Sequence, residues 1–147
     1  MSNYVPKDLE FDQEGRDKLI SGISKISKAV KSTLGPRGKT VLIESSNHTQ
    51  GITITKDGVT VAESISLIDP VENLAITMMK DAARRTANSA GDGTTTAIVL
   101  TEALVKAGEE FLTPDDNITE VVKSIKVITD KVVSSLEHGS RKVTSLM

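Results

Sequence analysis

The chain of 147 residues contains no cysteine and no tryptophan, and aromatic residues make up only 2% of it. Without cysteine, neither a disulfide framework nor a thiolate metal site can form, and nothing indicates an oxidising compartment. With so few aromatic residues, any core must be aliphatic and built from Ile, Val, Leu, Ala and Met.

Long hydrophobic runs and an excess of one charge are also missing. No stretch approaches the ~20 apolar residues of a membrane span, and the polar start MSNYVPKDLEF lacks the apolar centre of a signal peptide. Lys and Arg number 18 against 20 Asp and Glu, whereas nucleic-acid binding requires a clustered basic face. We therefore expect a cytoplasmic protein of one domain that binds neither membranes nor nucleic acids.

The spacing of apolar residues predicts a mainly α protein with four long helices and one β-hairpin. A first helix is expected over 12–34, with Asp12 as its cap and Gly35-Pro36 as its end. TVLIE (40–44) and ITIT (52–55) predict the two strands of the hairpin. The segment VTVAESISL (59–67) fits either a strand or a short helix. The apolar face of the first helix comprises Leu19, Ile23, Ile26, Val30 and Leu34.

Three further helices are marked by start and stop signals. Asp69-Pro70 predicts a helix start and Gly91 its end, Thr94 begins the next helix, and Thr113-Pro114 predicts the start of the last. Leu74, Met78 and Ala82 are expected to face inward, and the helix from Thr94 runs through Leu100, Leu104, Ala107 and Phe111. The last helix carries the clearest apolar stripe, from Ile118 to Leu136, which is typical of a buried helix face but could also meet a partner.

The stretch AGDGTTTA (90–97) is the strongest candidate for chemistry. A helix that begins after Gly93 presents free backbone N–H groups and a positive dipole end to an anion. Asp92 would repel a phosphate unless Mg²⁺ lies between them, and Mg²⁺ binds one or two carboxylates together with phosphate oxygens. The stretch therefore indicates a Mg-nucleotide phosphate site; an ordinary helix cap with spare threonines is the alternative.

Two other stretches bear on this site. TLGPRGKT (33–40) is nearly a P-loop, but a P-loop follows a strand and opens a helix, and here the order is reversed. It is still compatible with a phosphate-contacting turn of another design, because its glycines allow close approach. In TKDGVTVA (55–62), Lys56 could neutralise phosphate and Asp57 could orient a water, help to hold a metal or cap a helix. A simple turn with an exposed Lys-Asp pair is the alternative.

TLGPRGKTV (33–41), TITKDGVTVA (53–62) and AGDGTTTA (90–97), in this order, resemble the group I chaperonins of the GroEL type. FDQEGRDKLISGISKISKAV (11–30) is similar to the first long helix of that family. The resemblance implies a multi-helical equatorial-domain-like bundle with a small hairpin. Residues 1–139 would form the N-terminal part of the equatorial domain, and 140–147 the truncated start of an intermediate-domain segment.

The resemblance also implies ATP and Mg²⁺ as ligands and assigns residue roles. Asp92 would bind Mg²⁺, Lys56 would lie near the phosphates, and Asp57 would act catalytically beside the attacking water. The residues expected against the nucleotide or its phosphates are Thr33, Leu34, Gly35, Pro36, Gly93, Thr94, Thr95 and Thr96.

In the whole protein, the resemblance implies ATP-driven protein folding inside a double ring. The 40–55 hairpin and KDLEF (7–11) would contact self or other chaperonin subunits, while co-chaperonin and unfolded proteins would bind through domains that this chain lacks. We expect the isolated chain to expose an aliphatic patch and to hydrolyse ATP weakly or not at all. A short non-catalytic interaction subunit and a small phosphotransfer enzyme are the alternatives.

Overall fold

The computed structural model describes residues 9–44 and 51–141. The elements are helix α1 (Asp12–Lys31), strands β1 (Val41–Glu44) and β2 (Ile52–Thr55), and helices α2 (Gly58–Ser64), α3 (Pro70–Ala90), α4 (Thr94–Phe111) and α5 (Ile118–Gly139). The predicted mainly α architecture with one hairpin is confirmed, and the ambiguous segment contains helix α2. The chain divides into two compact units, Met1–Glu110 and Phe111–Met147.

The boundaries of α3 are set by the two signals predicted for them. The Asp69 carboxylate accepts hydrogen bonds from the backbone N–H groups of Val71 and Glu72 at 2.9 and 3.0 Å, with Pro70 in the first turn. Gly91 ends the helix in the left-handed conformation with φ 75°. By contrast, Asp12 does not cap α1, because it is already the first helical residue and the cap position is Phe11, which makes no side-chain cap hydrogen bond.

The core of the first unit is aliphatic, as the composition requires. Four helices contribute to it, so α4 is anchored to the same cluster as α1 and α3. Its members are Ile26, Val30, Val61, Ala62, Ile76, Met79, Ala83 and Ile98. Close packing of such side chains is the main stabilising contribution in a domain of this size.

The inward face predicted for α3 is wrong by one position, and the large apolar residues predicted along α4 are not the ones that it buries. Leu74 and Met78 are exposed, and the buried residues beside them are Ala75 and Met79. In α4, Leu100, Leu104 and Phe111 are exposed, whereas Thr94, Ile98 and Glu102 are buried. Both helices carry apolar residues on more than one face, so periodicity alone does not identify which face packs.

The hairpin is antiparallel, with Leu42 opposite Ile54 and Glu44 opposite Ile52. Val41 and Ile43 pack against the core of the first unit. Because neighbouring side chains alternate between faces, Leu42, Ile52 and Ile54 lie on the other face and are exposed.

The second unit contains α5, which begins later than predicted. The side chain of Asn117 caps it by accepting hydrogen bonds from the backbone N–H groups of Thr119 and Glu120. Thr113 instead donates hydrogen bonds from its N–H and hydroxyl to Asp116 within the preceding turn. No described residue of α5 is buried.

Some predicted features lie outside the described residues, namely the hairpin tip at 45–50, positions 7–8 of KDLEF and the tail at 142–147. Within the described part of the chain, no helix has the length and apolar character needed to cross a membrane.

Candidate functional site

The start of α4 is shaped by two glycines with left-handed backbones. Gly91 and Gly93 have φ values of 75° and 87°, a region that side-chain-bearing residues rarely adopt. Between them, Asp92 is exposed, and its Oδ1 accepts a hydrogen bond from Gly93 N at 2.6 Å. Gly93 O then accepts the first helical hydrogen bond, from Ala97 N at 2.9 Å. The N–H groups of residues 94–96 therefore have no partner within the helix.

The three threonines of this first turn differ in burial. Thr94 is only 8% exposed, Thr95 is half-buried and Thr96 is exposed. Elsewhere, Thr86 and Thr101 donate their hydroxyls to the carbonyl four residues earlier. Among the described residues, the hydroxyls of 94–96 make no such bond. Hydroxyls and free N–H groups at a helix N-terminus form a suitable binding surface for an anion.

The turn after α1 folds back tightly on itself. Thr33 donates its hydroxyl to Val30 O at 2.8 Å, and Lys39 N donates to Ser32 O at 2.7 Å. A Cβ on Gly38 would lie 2.2 Å from Thr33 O, so only glycine fits there. Gly35 has φ 75°, which also favours glycine. The turn that contains Leu34 and Pro36 is thus fixed by backbone contacts, and both of these residues are exposed.

Asp57 caps α2, which is one of the roles that the sequence predicted for it. Its Oδ1 accepts from Val59 N at 3.3 Å, and its Oδ2 accepts from Thr60 N at 2.9 Å and Thr60 Oγ1 at 2.6 Å. These bonds, led by the one from the Thr60 hydroxyl, lower the pKa of Asp57 below its usual range. The carboxylate is therefore ionised at neutral pH and oriented by the start of α2. Lys56, just before it, is exposed.

The three motifs converge at Gly58, a buried residue at the start of α2. A Cβ built on Gly58 would lie 2.1 Å from Thr95 Oγ1, 3.4 Å from Thr33 Oγ1 and 3.3 Å from Val30 Cγ1. The end of α1, the start of α2 and the start of α4 therefore meet at one point. Sequence reasoning did not assign a role to Gly58; the only available signal was a glycine directly after a capping aspartate.

Not every predicted residue belongs to this convergence. Thr33 and Thr95 both lie next to Gly58. Lys56 and Asp92 are exposed and are only near this point in the chain, Lys56 close to Gly58 and Asp92 close to Thr95. In the described residues, no cluster of three His, Asp or Glu side chains is arranged to bind a metal. An open groove of about 750 Å³ lies elsewhere, and its lining includes Lys25, Leu67 and Asp69 but none of the predicted site residues.

The mainly helical unit with one hairpin agrees with the equatorial-domain-like fold that the resemblance to chaperonins implies. The comparison with family models agrees, because the TCP-1/cpn60 chaperonin family matches residues 26–146. The chain belongs to the TCP-1/cpn60 chaperonin family.

Solved structures support the same assignment. The chain is similar to chaperonin gp146 from bacteriophage EL 2 (Pseudomonas aeruginosa), crystallised in the presence of ATP-BeFx. For crystal form II, the TM-score is 0.76 at 31% identity, covering 89% of this chain and 22% of that chain. For crystal form I, the TM-score and identity are the same, with 90% and 23% covered. The chain therefore spans about a fifth of gp146.

Proposed function

We propose that this chain is the N-terminal part of a chaperonin equatorial domain of the group I type and binds Mg-ATP at the start of α4. The observation that carries the proposal is the meeting of Thr33, Gly58 and Thr95, which brings three separate motifs to one anion-binding helix start. The ATP-BeFx present with the similar gp146 structures agrees with a nucleotide as the ligand.

The residues around α4 fit a magnesium-bound triphosphate. Asp92 is exposed, and one of its oxygens accepts the Gly93 N–H, which leaves the other oxygen for a cation. A single carboxylate combined with phosphate oxygens and water is a donor set that Mg²⁺ accepts. When bound, Mg²⁺ would neutralise phosphate charge. The proposed phosphate contacts are the free N–H and hydroxyl groups of Thr94, Thr95 and Thr96, with Gly93 allowing the phosphate to approach the backbone closely.

The remaining residues supply charge, walls and orientation. We place the exposed ammonium of Lys56 near the phosphates and the turn of Thr33, Leu34, Gly35 and Pro36 against the nucleotide. Asp57 is ionised and oriented by α2, so its part is to orient a water by accepting a hydrogen bond. A carboxylate with a lowered pKa is a weak base at neutral pH, and we assign proton abstraction to no residue of this chain.

In the whole protein, the proposed activity is ATP-driven folding of other proteins within a double ring, in the cytoplasm. Residues 1–139 would belong to the equatorial domain and 140–147 to the start of an intermediate-domain segment. Other chaperonin subunits are the proposed partners of this part, whereas a co-chaperonin and unfolded proteins would bind elsewhere in a chaperonin. For the chain alone, we propose nucleotide binding with little or no turnover, because catalysis needs groups positioned from several segments.

The test is calorimetric titration of the chain with Mg-ATP, and with ATP plus a chelator. We expect Mg-dependent binding that weakens by about tenfold or more in Asp92→Ala, equivalent to ~1.4 kcal/mol. Asp130→Ala removes the same charge from an exposed position of α5 and should bind like the wild type. Equal affinity of wild type and Asp92→Ala would overturn the proposed site, and rapid steady-state hydrolysis would overturn the proposed lack of turnover.

A second candidate is a non-catalytic subunit that associates with other chaperonin chains without nucleotide. The exposed apolar face of the hairpin, with Leu42, Ile52 and Ile54, favours it, because contiguous apolar surface marks interaction sites. Light scattering of the chain with and without Mg-ATP separates the two candidates. Association that is indifferent to Mg-ATP, in a chain that binds no nucleotide, would favour the second.

A further inference from the structure

We propose that Gly58 is a positioning residue for nucleotide binding, because its missing side chain leaves the space in which the Thr95 hydroxyl sits. The inference rests on the proposed function of the α4 start. Thr95 Oγ1 lies where an alanine at position 58 would place its Cβ, within 2.1 Å of that atom's ideal position. Two non-bonded heavy atoms cannot approach so closely, so the present orientation of Thr95 requires glycine at 58.

The requirement for glycine at 58 is purely steric. Gly35, Gly91 and Gly93 adopt positive φ, where any side chain strains the backbone, but Gly58 does not. Its backbone is that of an ordinary helical first turn, which alanine adopts readily. A substitution at Gly58 therefore tests the space around this residue without straining the backbone of α2.

The space around position 58 is also limited by other side chains. The same ideal Cβ would be 3.3 Å from Val30 Cγ1 in α1 and 3.4 Å from Thr33 Oγ1 in the turn that follows α1. Asp57 also fixes the first turn of α2 through its bonds to Val59 N and Thr60. An added methyl at 58 is thus most readily accommodated by rotation of the Thr95 side chain.

Rotation would displace the hydroxyl because threonine is branched at Cβ. Its χ1 has three staggered positions, and in each one a different substituent occupies the place that Oγ1 has now. A γ-methyl there would clash at least as strongly, so only the position that turns the β-hydrogen towards residue 58 relieves the contact. Gly58→Ala should therefore move the Thr95 hydroxyl away from its present place in the first turn of α4.

The experiment compares Gly58→Ala, Thr95→Ala and the double variant with the wild type. Mg-ATP affinity is measured by NMR titration, and the χ1 of Thr95 by three-bond couplings without nucleotide. We expect Gly58→Ala to change χ1 and to weaken Mg-ATP binding about tenfold, the loss expected for one hydrogen bond to a charged group. The double variant should bind no more than about twofold weaker than Thr95→Ala, because both changes act on one hydroxyl.

Gly15→Ala is the matched control, since its added Cβ meets nothing closer than Glu10 O at 3.5 Å. It should change neither the Thr95 coupling nor the affinity. If Gly58→Ala alone does not fold, the double variant should fold, because it lacks the oxygen that clashes; failure of both would overturn the steric claim.

The outcomes separate this inference from the proposed function. A wild type that binds Mg-ATP and a Gly58→Ala variant with unchanged affinity or unchanged χ1 would overturn the inference alone. A wild type that does not bind Mg-ATP would overturn both the proposed function and the positioning role built on it.

Discussion

Ser27 donates its hydroxyl to Glu102 Oε2 at 2.6 Å, and both residues are buried although they lie 75 positions apart. The same carboxylate accepts from Lys31 and Lys106, each at 2.8 Å. This contact joins the C-terminal half of α1 to the middle of α4. It therefore helps to determine how the end of α1, which carries Thr33, meets the start of α4, which carries Thr95.

Replacing Glu102 by glutamine should destabilise the first unit. The amide keeps the volume but loses the charge-assisted bonds from Ser27, Lys31 and Lys106, which are worth about 1–3 kcal/mol together after the half-exposed lysines are discounted. Urea unfolding measures the change. Glu109→Gln removes an exposed carboxylate from the same helix and should alter the unfolding free energy by less than about 0.5 kcal/mol. Equal stability of the two variants would contradict the structural importance of the buried network.

Acid should weaken the fold through the same carboxylate. Burial raises the pKa of Glu102, but the hydrogen bonds from Lys106, Lys31 and Ser27 outweigh it and lower the pKa from 4.5 to about 2. Because the folded-state pKa is the lower one, the stabilisation is complete above about pH 4.5 and is lost as the pH falls towards 2. Urea unfolding across this range should show a shallower decline for Glu102→Gln than for the wild type. Parallel curves would refute the assignment.

The crossing of α1 and α3 depends on the absence of a side chain at Gly22. A Cβ there would lie 2.4 Å from Glu72 O, which belongs to the backbone of α3 and cannot rotate away. Gly22→Ala should cost about 1–3 kcal/mol of unfolding free energy. In the same helix, Gly15→Ala meets no close atom and should stabilise by about 0.5–1 kcal/mol. Thermal melts of the two variants should show shifts of the melting temperature in opposite directions. Shifts of the same sign would argue against the close crossing.

Capping and ligand contact at Asp57 can be separated by two substitutions. Asp57→Ala removes the acceptor for Val59 N and Thr60 N and should lower stability by about 1 kcal/mol. Asp57→Asn retains the cap, because asparagine caps helices as well as aspartate does, and should unfold almost like the wild type. If Asp57 also acts on water, any ATP hydrolysis by a protein that contains this segment should fall in both variants. Full activity in Asp57→Asn would leave Asp57 with the capping role alone.

The sequence by itself determined the four long helices and the hairpin, the boundaries at Asp69-Pro70 and Gly91, and the family, because these depend on local signals. Capping residues, left-handed glycines and alternating strands act over a few neighbours, and the three motifs are short contiguous strings. The candidate ligands Asp92 and Thr94–Thr96 could be predicted from the sequence for the same reason.

Tertiary structure decided which face of α3 and α4 is buried, how the three motifs meet, and what surrounds Gly58 and Glu102. Leu74 and Met78 satisfied the helical period as well as Ala75 and Met79 do, and only the packing of the helices around the core determines that the second pair is buried. The contacts of Gly58 with Thr95 and of Ser27 with Glu102 join positions far apart in the chain. Their geometry arises from packing several helices around one core, which no local pattern encodes.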